Sequence, residues 1–304
     1  MRNLPKYNQA RGAGYSISMA PTIGVFDSGF GGLTVLRALA TRLPAARFAF
    51  LGDTARLPYG SKSRRTIARY AAQSAQFLVR DQNAEFLVIA CNTASALALD
   101  AIQEAVPVPV LGVIEPGAEA ARAASRTGDV LVIATDATVH SHAYAAACQA
   151  LGLRALEKAC PLLVPLVEEG WTTCGRADAA CAAGESSLQA KVTAEVIRIY
   201  LAELLADAAT QGMNPDTLVL GCTHYPLLRP LIESAVPAGM RVIDSAEATA
   251  EIAARLFGHH EAGKPSPEAR IRCFATDSVE KFERLGSRFL GQPTGKVELV
   301  DLGG

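Results

Sequence analysis

Residues 86–105 read FLVIACNTASALALDAIQEA, an apolar run followed by small and polar residues and then by a helical pattern. The run from Phe86 to Ala90 is apolar throughout, as expected for a strand that is covered on both faces. Such a strand followed by a helix is the repeating unit of parallel α/β sheets. Because the same order recurs along the chain, we predict an α/β fold with mostly parallel sheets flanked by helices.

The alternation predicts strands and helices along most of the chain. The predicted strands are 22–26, 48–52, 86–90, 109–113, 130–134, 217–221, 241–243 and 271–275, and the predicted helices are 32–43, 63–81, 93–105, 116–127, 138–150, 188–209, 226–236, 245–258 and 277–289. Residues 1–20 contain no acidic residue and many small or polar ones, which predicts a flexible N-terminal tail. Residues 170–190 interrupt the alternation, which predicts a surface insertion.

Composition limits the classes of function. Half of the 304 residues are hydrophobic, so the chain can bury a core of one large or two modest domains. The net charge of -1 disfavours a nucleic-acid partner and a polybasic membrane surface. The seven cysteines are irregularly spaced without a CxxC pair, which disfavours a disulfide framework and a zinc ribbon. With no apolar leader or long apolar run, we expect a soluble cytoplasmic protein.

Four segments share one design, in which an apolar strand is followed by small, polar or turn-forming residues. They are GVFDSGFGG at 24–32, VIACNTA at 88–94, VIATDAT at 132–138 and LVLGCTHYP at 218–226. Ligands bind at the carboxyl ends of parallel strands, and helix N-termini there suit a substrate carboxylate. Because neither a dinucleotide-binding nor a phosphate-loop motif occurs, nucleotide binding has no support from the sequence.

Two of these segments carry a cysteine directly after the strand, Cys91 and Cys222. A thiol at a helix N-terminus has a lowered pKa, so we predict that both are reactive. We interpret Cys148, Cys160 and Cys273 instead as small buried hydrophobic residues. Inverting a stereocentre by proton transfer needs a base on one face of the carbon and an acid on the other, which one thiolate and one thiol provide.

Polar neighbours are candidates to support these thiols. Asp27 either orients Cys91 and accepts a proton, or it caps the helix that follows Gly32. His224 follows Cys222 by two residues and is a candidate to hydrogen-bond or polarise that thiol. Tyr59 and Gly60 lie in a loop where backbone N–H groups either hold the substrate or form an ordinary β-turn, which the spacing alone favours.

At these residues the chain resembles the glutamate racemase family, within the aspartate/glutamate racemase superfamily. The similar segments are FDSGFGGL at 26–33, Gly52-Asp53 with Pro58-Tyr59-Gly60, CNTA at 91–94 and GCTHYP at 221–226, in a resemblance that runs from about 21 to 258. Cys-Asn-Thr alone is shared across the superfamily, whereas the combination is specific to glutamate racemases. The chain departs from the family at Ala134 and Ala137, where glycines are common.

The resemblance implies two pseudo-symmetric α/β domains with the active site in the cleft between them. The first would comprise 21–114 with 227–304, and the second 115–226. Cys91 and Cys222 would be the acid/base pair, assisted by Asp27, His224 and Glu168, with Glu169 as the alternative to Glu168. The residues implied to contact substrate are Asp27, Ser28, Tyr59, Gly60, Asn92, Thr93, Thr135, Thr138, Thr223 and His224.

The resemblance further implies that glutamate is the substrate and that D-glutamate is made for peptidoglycan without metal or organic cofactor. It implies a homodimer, and a peptidoglycan precursor as a candidate effector. Three alternatives stay open: a two-thiol racemase for another amino acid such as aspartate, a non-enzymatic protein acting on DNA gyrase, and a redox or metal-binding thiol protein. Intact Cys91 and Cys222 disfavour the second, and the irregular cysteine spacing disfavours the third.

Overall fold

The computed structural model describes residues 21–172, 187–257 and 270–303. In order, these ranges form β1 (Thr22–Asp27), α1 (Leu33–Arg42), β2 (Arg47–Gly52), α2 (Arg64–Arg80), β3 (Phe86–Ile89), α3 (Asn92–Leu97), α4 (Leu99–Ala105), β4 (Val110–Gly112), α5 (Ile114–Ala124), β5 (Asp129–Ala134) and α6 (Asp136–His140). They continue with α7 (Ala143–Ala150), β6 (Arg154–Ala159), α8 (Leu163–Glu168), α9 (Leu188–Thr210), β7 (Thr217–Gly221), α10 (Arg229–Ala235), β8 (Arg241–Asp244), α11 (Ser245–Phe257), β9 (Ile271–Ala275), α12 (Val279–Leu290) and β10 (Val297–Leu299). The predicted tail at 1–20 and most of the predicted insertion at 170–190 lie outside the described residues.

The chain divides into two compact units, Met1–Val113 with Ala246–Gly304 and Ile114–Ser245. The first unit is discontinuous, and its first boundary falls one residue before the predicted one. The second boundary lies at 245/246 rather than at the predicted 226/227, which is a correction. Its physical reason is that β8 hydrogen-bonds to β7 and therefore belongs to the sheet of the second unit.

The first unit is built on a six-stranded sheet in the order β10-β9-β2-β1-β3-β4, in which every pairing is parallel. In its central strand β1, Ile23, Val25 and Phe26 have no exposed surface. This burial explains the continuous apolar runs from which the strands were predicted. The parallel register brings the carboxyl ends of β1 and β3 together, since Phe26 is aligned with Ile89.

The second unit is built on a four-stranded parallel sheet in the order β6-β5-β7-β8. Ala134 at the end of β5 is aligned with Gly221 at the end of β7. The carboxyl end of β7 leads directly into Cys222. The predicted fold class, α/β with parallel sheets and flanking helices, is therefore confirmed in both units.

The differences from prediction concern sheet edges and helix breaks. Strands β6 and β10 were not predicted, because both are edge strands and carry charged or exposed side chains that hide an apolar run. The helix predicted over 138–150 is two helices, interrupted at His142, which has a positive φ of 53°. The helix predicted over 93–105 is likewise divided, at Ala98. The short helix α8 was not predicted either.

Candidate active site

Cys91 lies between the end of β3 and the start of α3. It is the N-cap residue of α3, and its Sγ accepts a hydrogen bond from the Ala94 N–H at 3.4 Å. The thiol is 6% exposed, and it donates to Ser28 Oγ at 3.4 Å. Asn92 and Thr93 follow in the first helical turn and are also buried. The first thiol therefore has the predicted position at a strand end, with Ser28 in direct contact.

Asp27 ends β1 and is 2% exposed. Its Oδ2 accepts the Gly29 N–H at 2.9 Å, while the N-cap position of α1 is occupied by Gly32, further along the chain. The helix-cap interpretation of Asp27 is therefore wrong. A Cβ on Gly32 would lie 2.6 Å from the Cβ of Asp27 and 2.8 Å from that of Ala90. Glycine is needed here because α1 begins against both strand ends.

The electrostatics of Cys91 contradict one sequence prediction. Burial, and after it the negative charge of Asp27, raise the pKa of its thiol to about 12, against the lowering effect of hydrogen bonds with Ser28 and Ala94. A helix N-terminus was expected to lower this pKa. The correction has a physical reason: α3 has only six residues, so its dipole is small beside desolvation and a neighbouring carboxylate.

Tyr59 and Gly60 lie in a short 3-10 turn between β2 and α2. The Tyr59 ring is buried in the same apolar cluster as Cys91. Its hydroxyl donates to Asp53 Oδ2 at 2.6 Å. Burial first, and then the charge of Asp53, raises the Tyr59 pKa well above its ordinary value, so the hydroxyl keeps its proton. The neighbouring Gly60 is exposed.

Cys222 follows β7 in the second unit and is 5% exposed. Its Sγ lies 3.9 Å from Nδ1 of His224, and Thr223 Oγ1 lies 3.4 Å from the same nitrogen. A 3-10 turn at Tyr225–Leu228 follows, where the sequence predicted the start of an α-helix. The predicted partnership of Cys222 with His224 is therefore present in the structure.

His224 is held on its other side by a carboxylate. Its Nε2 lies 3.4 Å from Oε1 of Glu168, at the end of α8. Burial favours the neutral ring, but hydrogen bonds and charges of Cys222 and Glu168 outweigh it and raise the His224 pKa to about 10. At neutral pH the ring is therefore protonated, and both nitrogens are donors. Of the two glutamates predicted as alternatives, Glu168 is the one in contact.

Tyr225 anchors this turn and was not predicted as a site residue. Its hydroxyl donates to the carbonyl oxygens of Ala134 and Cys160, each at 3.1 Å. Ala134 is the last residue of β5, and Cys160 follows β6. The side chain is fully buried. It therefore fixes the turn that carries Cys222 and His224. The only sequence signal was an aromatic residue inside a segment already marked as a site.

Thr135 and Thr138 flank the start of α6, after β5. Their hydroxyl oxygens lie 2.9 Å apart, so the two hydroxyls share a hydrogen bond. Thr138 is fully buried and Thr135 partly so. The alanines that replace the family's common glycines are compatible with this arrangement: Ala134 ends β5, and Ala137 lies within α6.

Among the described residues, no group of three or more His, Cys, Asp or Glu side chains has the arrangement of a metal site. None of the described helices is long and apolar enough to cross a membrane. A surface cavity of about 560 Å³ in the second unit lies near the amino-terminal end of β8, at the opposite end of the strands from Cys222. Its lining contains none of the predicted site residues.

Comparison with known proteins agrees with this arrangement. The model of the Asp/Glu/Hydantoin racemase family matches residues 23–253. The glutamate racemase of Koribacter versatilis is 49% identical, over 93% of this chain and 98% of that protein. The crystal structure of the Francisella tularensis glutamate racemase in complex with D-glutamate is 33% identical, with a TM-score of 0.77 over 94% of this chain and 99% of that one.

A third relative is the Escherichia coli glutamate racemase, whose structure was determined in complex with L-glutamate and the activator UDP-MurNAc-ala. It is 28% identical, with a TM-score of 0.68, and the alignment covers 94% of this chain and all of that one. These matches span the strand ends that carry Cys91 and Cys222. The chain therefore belongs to the glutamate racemases, which are amino-acid racemases of the Asp/Glu/Hydantoin racemase family.

Proposed function

We propose that this protein interconverts L- and D-glutamate, with Cys91 and Cys222 exchanging protons at the α carbon. The observation that carries the proposal is the pair of buried thiols. Each lies at the carboxyl end of a parallel strand and is hydrogen-bonded to a polar side chain, Ser28 for Cys91 and His224 for Cys222. The near full-length similarity to glutamate racemases supports glutamate rather than another amino acid.

In the proposed reaction, one cysteine as thiolate removes the α proton from one face of the substrate. The electron pair left on carbon is delocalised into the α carboxylate. The other cysteine, as thiol, then delivers its proton to the opposite face, which inverts the centre and leaves the two cysteines with exchanged protonation states. The reverse direction uses the same groups in opposite roles.

The supporting groups divide between the two thiols. We assign Asp27 to Cys91, as the carboxylate that orients it or takes its proton, and the His224–Glu168 pair to Cys222. We assign Ser28, Tyr59, Gly60, Asn92, Thr93, Thr135, Thr138 and Thr223 to substrate contacts. Buried N–H and hydroxyl groups suit the carboxylates of glutamate, because each can donate a hydrogen bond to an anionic oxygen.

The test is α-proton exchange and racemisation in deuterium oxide, starting from each enantiomer of glutamate, with aspartate as a second substrate. We expect the wild type to racemise glutamate, and Cys91→Ser and Cys222→Ser each to lose at least about a thousandfold in kcat. Cys148→Ala, another buried cysteine, serves as the matched control and should remain active. Turnover of aspartate but not glutamate would overturn the substrate assignment, and wild-type rates in either serine variant would overturn the two-thiol mechanism.

We further propose that the product supplies peptidoglycan synthesis in the cytoplasm. Expression of the chain in a bacterial strain that requires added D-glutamate should restore growth without it, whereas Cys91→Ser should not. We also propose that the enzyme is a homodimer, as the resemblance to the family implies. We propose further that it responds to a peptidoglycan precursor, because the Escherichia coli relative was solved with the activator UDP-MurNAc-ala. Light scattering, and kcat with and without UDP-MurNAc-ala, test these two points.

A further inference from the structure

The loop that follows β2 is tied to the C-terminal part of the chain. Thr276 follows β9, and its hydroxyl donates to Asp53 Oδ1 at 3.0 Å while accepting the Ala55 N–H at 2.9 Å. Thr54 and Asp277 form a second link, in which the Asp277 N–H donates to Thr54 Oγ1 at 2.9 Å. The loop is thus held by residues more than 220 positions away in sequence.

Asp53 is the centre of this arrangement. It has no exposed surface, and its two carboxylate oxygens are used by different partners. Oδ1 accepts from Thr276, whereas Oδ2 accepts from the Tyr59 hydroxyl at 2.6 Å and lies 3.5 Å from the Arg56 guanidinium. A buried carboxylate is tolerated only when such partners satisfy it, and these bonds are among the stronger ones in proteins.

The bonds reach the candidate active site through Tyr59. Its ring packs in the apolar cluster that contains Cys91, with its centroid 6.2 Å from that of Phe26 and 6.3 Å from that of Tyr70. Because the hydroxyl of Tyr59 is engaged by Asp53, that hydroxyl fixes the ring and the backbone of the turn. The parts of the turn suited to a substrate are then the backbone of Tyr59 and the exposed Gly60.

We propose that Asp53 and Thr276 are positioning residues of the racemase site. Through Tyr59, they fix the turn at Tyr59–Gly60 and the ring that packs in the Cys91 cluster. Thr276 lies beyond the family match at 23–253, so a residue outside that match helps to position the site. The expected effect on KM rests on the proposed function, whereas the expected effect on the exposure of Cys91 does not.

The kinetic test uses Thr276→Val, which removes the hydroxyl at nearly constant volume. Two matched controls are Thr276→Ser, which keeps the hydroxyl, and Thr294→Val, which changes a buried threonine of the same segment that donates to Gly295 O. We expect the KM for both enantiomers to rise about five- to tenfold in Thr276→Val, because a buried carboxylate oxygen loses its partner. We expect kcat to change less than KM, and both controls to stay within about twofold of wild type.

A second readout does not need activity. Tyr59 and Cys91 share one cluster, so a loosened turn should expose the thiol. We expect iodoacetamide to alkylate Cys91 at least about threefold faster in Thr276→Val and in Tyr59→Phe, measured by peptide mass spectrometry. Cys273, which is fully buried in β9, reports unfolding of the whole unit and should keep its wild-type rate.

These readouts separate the two proposals. If the wild type does not racemise glutamate but Cys91 alkylation rises as expected in Thr276→Val, the proposed function is wrong and the positioning role of Thr276 is supported. An active wild type with unchanged KM and unchanged Cys91 alkylation in Thr276→Val overturns the positioning role. A parallel increase at Cys273 also overturns it, because Thr276 would then only stabilise the unit.

Discussion

The two thiols occupy similar places in the backbone but opposite electrostatic surroundings. Cys91 is buried next to the Asp27 carboxylate, and its pKa is raised to about 12. Cys222 lies 3.9 Å from His224, whose own pKa is raised to about 10 and whose far side is held by Glu168. One thiol therefore has a negative neighbour and the other a positive one.

The two bases of the proposed reaction therefore need not be equivalent. In that reaction one sulfur is charged when the other is protonated, and we expect opposite neighbours to favour one such arrangement. Replacing the neighbour of one thiol should therefore have a different effect from replacing the neighbour of the other.

The largest effect is expected from Asp27→Asn, which removes the charge next to Cys91 but can still accept the Gly29 N–H. Without the carboxylate the pKa of Cys91 falls, so alkylation of Cys91 at pH 8.5 should become faster. Racemisation should nevertheless fall by about a hundredfold, because the group that orients the thiol or takes its proton is lost. The check is to measure the rates of alkylation and racemisation. Asp81→Asn, at the exposed C-cap of α2, is the control variant. Loss of both together would mean that Asp27 is only structural.

A smaller effect is expected from Glu168→Gln on the other side. Loss of the carboxylate lowers the pKa of His224 from about 10, so the ring loses its proton at a lower pH. We expect the alkaline limb of the kcat profile to move to lower pH, with about a three- to tenfold loss at pH 9. Glu169→Gln is the matched control, since Glu169 is adjacent and exposed. If the two variants have the same pH profile, Glu168 does not act through His224.

The space around the backbone differs between Gly60, on the Cys91 side, and Gly221, on the Cys222 side. A Cβ on Gly60 would meet nothing within 4 Å, whereas one on Gly221 would lie 2.9 Å from the Tyr144 ring and 3.0 Å from the Cβ of Ala134. Gly60→Ala should therefore leave the Tm unchanged and raise KM about threefold where substrate approaches the turn. Gly221→Ala should lower the Tm because its neighbours must move. An unchanged KM in Gly60→Ala would remove that turn from the substrate contacts.

The smallest effect concerns stability and pH. The pKa of His224 is higher in the folded protein than its ordinary value of 6.5, so protonation stabilises the fold. That contribution is fully present below pH 6.5 and is lost as the pH rises through about 10. The Tm of the wild type relative to His224→Gln should therefore fall by a few degrees between pH 6 and pH 10. A difference that stays constant over this range would contradict the raised pKa.

The fold was predictable from sequence where the strands are buried on both faces. Strands such as β1 and β7 are mostly apolar, because parallel strands in the centre of a sheet meet helices on each side. The edge strands β6 and β10 were missed, since an edge tolerates charged side chains and leaves no continuous pattern. The boundary at 245/246 was also missed, because the sequence of neither β7 nor β8 indicates that the two strands pair.

The candidate site was predictable in part for the same reason. Cys91, Cys222, Asp27 and His224 follow directly on recognisable strands, so their positions could be read along the chain. The partner of His224 came only from the resemblance. Asp53 was noted only as part of a similar segment, without a role, and Thr276 was not predicted at all. Asp53 and Thr276 are separated by 223 residues, and no local pattern marks such a contact.

The sequence by itself determined the α/β fold class and the placing of two thiols at strand ends, because these depend on local periodicity and on residue order. Only the tertiary structure decided the charge around each thiol. Burial and the neighbouring Asp27 reversed the pKa direction expected for Cys91, and α8 brought Glu168 to His224. Desolvation and neighbouring charges depend on distances in space, so residue order along the chain does not determine them.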